Sequence, residues 1–201
     1  MRECLVIGQP EVGKTWLSFR IAELADVAAP LVVHELPTGE RVERKWQTAA
    51  VMAQLAKGAW RSTVGVQTIG IGMGKACAFP FLLHDSTGLQ QGIVDDRMVR
   101  MGMARTLSHL ASCSMALHVV DGVTLARGGL PVLDDLIMQC ARSRGIPYFL
   151  AVNKIDLPEA KAAAAKLCKS CKTIPTFPVS ALSGAGIPDV MRMMLRANVV
   201  H

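Results

Sequence analysis

Apolar and polar positions alternate along the chain in short blocks whose period switches between that of a strand and that of a helix. Cys4-Leu-Val-Ile7 is an apolar run that stops at a glycine-rich loop, as in a strand buried on both faces. From Gly13 the period lengthens, and Leu17, Ile21 and Leu24 fall on one face of a predicted helix. Further strands are predicted at Val64–Ile71, Ala76–Leu83, Met115–Val120, Tyr148–Val152 and Phe177–Val179, with helices near 95–111, 131–143, 158–170 and 187–197. Parallel neighbours need crossover connections, so this order predicts a three-layer α/β domain. Its sheet would be six-stranded and mostly parallel, with helices on both faces. The two strands flanking Gly72-Met-Gly74 would form a hairpin if one edge is antiparallel.

One stretch is too long for a simple crossover: about 37 residues separate the first helix from Thr63. Within it Leu31–Leu36 reads as extended and Pro37-Thr-Gly39 as a turn. Val42, Trp46, Ala49, Ala53 and Ala56 then recur at helical spacing before Gly58, a suitable C-cap. The expectation is an insertion over about 30–60 that carries a helix, within a single domain over 1–201. It serves either a partner or packing.

Composition narrows the class. The 201 residues are 51% apolar and 19% charged, enough for one globular core. No uncharged stretch approaches the ~20 apolar residues of a membrane span. Met1-Arg2-Glu3 leads into a strand and not into a cleavage site, so the expected location is the cytoplasm. Of six cysteines only Cys168-Lys-Ser-Cys171 has metal or redox spacing, and without a second pair it reads as two thiols near a helix end. The net charge of +6 is uneven, with four lysines and no acid between Lys161 and Lys172. That face is solvated, or it meets RNA or a ribosome surface.

Gly8-Gln-Pro-Glu-Val-Gly13-Lys14-Thr15 is a complete G-x-x-x-x-G-K-T sequence between a predicted strand and a predicted helix. Such a loop wraps its backbone N–H groups, those of Glu11 and Val12 included, around phosphate oxygens at a helix N-terminus. Lys14 would reach the β- and γ-phosphates, and the Thr15 hydroxyl would bind Mg²⁺. Asn153-Lys154-Ile155-Asp156 follows a predicted strand, where open α/β sheets bind ligands. A carboxylate at Asp156 would accept from the ring N–H and exocyclic amino group of guanine; adenine lacks that paired edge. Asn153 would brace neighbouring loops, and the stem of Lys154 would cover one face of the base.

With these motifs in order, the chain resembles the P-loop GTPases over nearly its whole length. Ser183-Gly-Ala-Gly-Ile187 and the residues before it are similar to the bacterial Era, MnmE and FeoB group. The resemblance implies roles for Asp85-Ser-Thr-Gly88: Asp85 would hold the Mg²⁺ shell through water, and the Gly88 N–H would sense the γ-phosphate. Ser180-Ala181-Leu182 resembles the loop that recognises the guanine oxygen. Thr63 best matches the switch I threonine, a metal and catalytic position, with Thr68 as the alternative. Leu89 stands where Ras-like members carry a glutamine, so water must be positioned from elsewhere, and Gln90 and Gln91 lie nearby as exposed loop residues. Glu11 replaces the asparagine of potassium-using relatives, so potassium activation is not expected. Arg61, Arg97 and Arg100 flank the switches without forming an evident arginine finger.

The resemblance therefore implies a cytoplasmic molecular switch that binds GTP and GDP with Mg²⁺ and hydrolyses GTP slowly. An unidentified protein effector or activator is expected, with RNA or a ribosome as a further partner and no integral membrane association. The competing class is a module that holds guanine nucleotide without turnover. A small-molecule or nucleotide kinase would share the phosphate loop but leave Asn153–Asp156 unexplained.

Overall fold

The computed structural model describes residues 2–58, 64–71 and 81–197. In chain order the elements are β1 (Arg2–Ile7), α1 (Lys14–Leu24), β2 (Leu31–Glu35), β3 (Arg41–Lys45), α2 (Thr48–Ala56), β4 (Val66–Ile71) and β5 (Phe81–Ser86). They continue with α3 (Arg97–Ser112), β6 (Met115–Asp121), α4 (Gly122–Gly128), α5 (Val132–Ser143), β7 (Tyr148–Asn153), α6 (Pro158–Ser170), β8 (Thr176–Pro178) and α7 (Ile187–Arg196). All strands join one sheet in the order β3-β2-β4-β5-β1-β6-β7-β8. The pairs β5-β1, β1-β6, β6-β7 and β7-β8 are parallel. Their carboxyl ends therefore lie along one edge, where the motif loops begin.

Alternation in β1 explains the layers. Cys4 and Val6 face a core shared with Leu17, Ile21, Val190 and Met194 of α1 and α7. Leu5 and Ile7 face the opposite side, against Leu110, Ile137 and Ala141 of α3 and α5. All four β1 residues are fully buried, so the strand reads as continuously apolar.

Among the described residues the sheet has eight strands, not six, and the difference lies in the insertion. The extended segment from Leu31 becomes β2, which pairs antiparallel with β4, and β3 folds back on β2. The hairpin geometry expected around Gly72–Gly74 appears as the antiparallel β4-β5 pair, although the turn itself is outside the described residues. The inserted helix runs from Thr48 and not from Val42. Residues Arg41–Lys45 are an edge strand exposed on nearly all sides, so no burial pattern marked them as extended. Main-chain bonds from Trp46 N to Pro30 O and from Thr48 N to Ala28 O complete the turn into α2. The short α4 was also absent from the sequence reading. It is started by Asp121, whose carboxylate accepts from Val123 N at 2.8 Å.

Among the described residues no helix is long and apolar enough to cross a membrane. None of the described His, Cys, Asp and Glu side chains gather in threes to hold a metal ion on their own. Cys168 is half-buried with its Sγ donating to Thr176 O at 3.5 Å, in keeping with thiols at a helix end.

Candidate nucleotide site

The loop after β1 turns back over the start of α1. Gly13 caps that helix in the left-handed region, at φ 96°, and a Cβ there would lie 2.4 Å from Asn153 Nδ2. Glycine is therefore required both by conformation and by the approach of the second loop. Glu11 also has a left-handed φ, 61°, which shapes the loop at some strain. The Gly8 carbonyl accepts from Leu89 N at 3.1 Å, tying the phosphate loop to the loop after β5. Gly88 packs on Pro10 so closely that a Cβ would come within 2.6 Å of Pro10 N.

Lys14 is only 7% exposed and donates from Nζ to Gln9 O at 2.6 Å. Burial lowers its ammonium to about 8, and the carboxylates of Asp85 and Asp134 oppose that fall. Thr15 Oγ1 donates to Asp85 Oδ2 at 2.7 Å, so two hard oxygen donors from α1 and β5 meet at the phosphate cleft. That donor pair suits Mg²⁺, which takes few protein oxygens and completes its shell with water and phosphate. The cleft itself has a volume of about 390 Å³, with Gly13, Lys14, Thr15, Gly88 and Gln90 in its wall and Leu55 of α2 at its side.

At the end of β7, Asn153 is buried between two loops. Its Nδ2 donates to Val12 O at 2.8 Å, and its Oδ1 accepts from Ala181 N at 2.9 Å. Asp156 Oδ1 accepts from Ser180 Oγ at 2.6 Å, and Ser180 Oγ in turn accepts from Ser183 N at 3.1 Å. Lys154 has φ 72°, and its Nζ pairs with Asp121 Oδ2 at 2.6 Å. Leu182 is exposed, and its carbonyl accepts from Arg20 of α1, which also donates from Nε to Ala181 O at 3.0 Å.

Thr63 and Arg61 lie outside the described residues. Thr68, the alternative switch threonine, sits inside β4 with its hydroxyl 2.9 Å from His84 Nδ1, and it is not in the cleft wall. Leu89 is 3% exposed and packs with Leu5, Ile7 and Leu110, outside the cleft wall. Gln90 is exposed as expected and also lines the cleft, whereas Gln91 does not. Arg100 bonds Val94 O and Asp95 O at 2.6 and 2.7 Å, so its guanidinium holds the local loop.

Sequence reasoning missed four polar residues that hold this site. Arg20 anchors the 181–182 loop, Thr87 bonds Gly65, and Asp134 with His118 reaches Gln9 of the phosphate loop. Nothing local in the sequence marks such partners, because each acts across a long separation in the chain.

A G-x-x-x-x-G-K-T loop between β1 and α1, flanked by loops at the ends of parallel strands, is the arrangement of a P-loop nucleotide-binding fold. No family model matches the chain. It is 34% identical over 128 residues to GTPase Obg of Anaeromyxobacter sp., covering 58% of this chain and 35% of that protein. GTPase Der of Aliivibrio fischeri is 27% identical over 193 residues, covering 94% of this chain and 31% of its own length. Among solved structures, Era in complex with MgGDPNP and 16S ribosomal RNA has a TM-score of 0.66 at 16% identity, covering 98% of this chain and 56% of that one. The chain is similar in sequence and in fold to bacterial P-loop GTPases. It spans about a third of the length of these curated relatives.

Proposed function

We propose that this G domain binds GTP and GDP with Mg²⁺, hydrolyses GTP slowly, and changes partner binding with the nucleotide state. The observation that carries the reading is the double bridge of Asn153, which joins the phosphate loop at Val12 to the Ser180–Leu182 loop beside Asp156. One side chain thereby couples phosphate grip to base recognition. Asp156 supplies the carboxylate for the guanine edge, with Ser180 orienting it. Lys14 stabilises the β- and γ-phosphates by charge, and Gly88 faces the γ-phosphate through its N–H. Thr15 and Asp85 hold the Mg²⁺ side, Asp85 through water, with Thr63 as the switch I ligand. Mg²⁺ would neutralise phosphate charge as the transferred group leaves.

Low intrinsic turnover follows from Leu89. A buried leucine orients no water, so hydrolysis depends on Gln90 or on a partner. The partner reading keeps RNA or a ribosome surface beside a protein effector. Lys161, Lys166, Lys169 and Lys172 are all exposed, and Era, similar in fold, was solved with 16S ribosomal RNA.

The test is displacement of a fluorescent GDP analogue by GTP, GDP and ATP, for wild type and Asp156→Asn. Displacement by both guanine nucleotides but not ATP, with that selectivity lost in the variant, supports the reading. Equal displacement by ATP overturns it.

A further inference from the structure

Four side chains run from the phosphate loop into the body of the domain, and nucleotide recognition as described above uses none of them. Gln9 Nε2 donates to Asp134 Oδ2 at 2.8 Å. The other oxygen, Asp134 Oδ1, lies 2.8 Å from His118 Nε2, and His118 Nδ1 is hydrogen-bonded to the Tyr148 hydroxyl. The residues come from the phosphate loop, α5, β6 and β7. His118 is fully buried and Asp134 is 1% exposed.

Chemistry assigns the protons along this chain. Burial first, and the Asp134 charge second, push the Tyr148 phenol far above its ordinary range. It keeps its O–H and donates it to His118 Nδ1, which leaves the Nε2–H to donate to the carboxylate. Both Asp134 oxygens are then satisfied. A carboxylate this deep is costly to keep, and an apolar residue would fill the same space more cheaply. Its place in the first turn of α5 favours a negative charge but does not require Gln9.

Gln9 makes the difference. Its side-chain amide is held by Asp134, and its main-chain carbonyl accepts the Lys14 ammonium at 2.6 Å. The geometry points to Asp134 as a positioning residue: through Gln9 it sets where the Lys14 ammonium stands at the phosphate cleft, and His118 with Tyr148 holds the carboxylate in place. This inference rests on the reading of that cleft as a nucleotide site. The network fixes the phosphate end alone, so it contributes to affinity for phosphates and leaves base selectivity to Asp156. Asp134 also favours the charged form of Lys14, in the same direction.

The test uses the full chain with Gln9→Met, Asp134→Asn and the double variant. Each is measured for thermal stability, displacement of fluorescent GDP by GDP and ATP, and kcat and KM for GTP. Gln9→Met keeps the volume of a half-buried loop residue and removes only the amide, so it carries the test even if Asp134→Asn folds poorly. Each single change is expected to weaken GDP about tenfold, the worth of one hydrogen bond to a charged group, with selectivity against ATP unchanged. The double variant should be no weaker than the worse single, because both cut one chain. GDP affinity within twofold of wild type in Gln9→Met, or effects that multiply in the double variant, overturns the network as a positioning device. A wild type that binds no guanine nucleotide overturns the underlying reading as well.

Discussion

Thr87 grips Gly65 by both of its backbone polar groups. Thr87 Oγ1 accepts from Gly65 N at 2.7 Å and donates to Gly65 O at 2.8 Å, while Thr87 N donates to the same carbonyl at 3.0 Å. Thr87 belongs to the loop after β5, and Gly65 immediately precedes β4. The two segments that would face the γ-phosphate are therefore clipped together beside the cleft. Thr87→Val keeps the shape and deletes the hydroxyl, leaving the Gly65 N–H without that acceptor. A loss of about 1–3 kcal/mol in stability is expected, with a narrower difference in affinity between GTP and GDP. Urea unfolding and nucleotide titration measure both; a variant equal to wild type in each would show that the clip has no role.

Asn153→Ala should damage stability and binding together. The substitution strands the Ala181 N–H and frees Val12 O, two buried groups in different loops. A loss of about 2–4 kcal/mol is expected from two such bonds, with GDP affinity reduced at least tenfold. An unchanged affinity in a correctly folded variant would remove the bridge from the account of the site.

In the loop after β5, neighbouring positions should behave in opposite ways. Leu89→Gln puts an amide into the apolar cluster with Leu5, Ile7 and Leu110, so it should cost about 2–3 kcal/mol of stability without speeding hydrolysis. Gln90→Ala removes the only glutamine in the cleft wall among the described residues, and single-turnover hydrolysis should slow. Faster hydrolysis by Leu89→Gln would mean that position 89 can reach the phosphates after all.

Two thiols should give the fold an alkaline limit. Burial raises Cys4 well above its ordinary value of 9.0 and raises Cys113 to about 11. In the unfolded chain both ionise near pH 9, whereas in the folded chain they hold their protons to higher pH. At these two thiols the folded state thus holds more protons above pH 9, so their contribution to stability is full below that pH and falls as pH rises toward 11, while Lys14, lowered to about 8, acts in the opposite direction. Urea midpoints between pH 7 and 10.5 read this directly, and Cys113→Ser should flatten part of the fall. A Cys113→Ser curve that coincides with wild type would assign the alkaline loss to other groups. The same protonation makes Cys113 slow to alkylate at pH 7.5, since the thiolate is the nucleophile.

What is local in this protein is legible from its residues alone. Gly8–Thr15, Asp85–Gly88, Asn153–Asp156 and Ser180–Leu182 are contiguous, and each sits where a strand ends. Their chemistry is legible because a turn that needs glycine, or a loop that needs a carboxylate, constrains adjacent residues. The strands were equally legible wherever burial on both faces wrote a continuous apolar run into the chain, as in Cys4–Ile7 and Tyr148–Val152. Tertiary structure alone decided the rest. Arg41–Lys45 is a strand only because β2 offers it a partner, and an edge exposed on both faces carries no apolar period. Gln9 and Asp134 meet across 125 positions, and Thr87 and Gly65 across 22. A hydrogen bond between distant positions leaves no mark on the residues beside it, so only the folded chain could bring those pairs together.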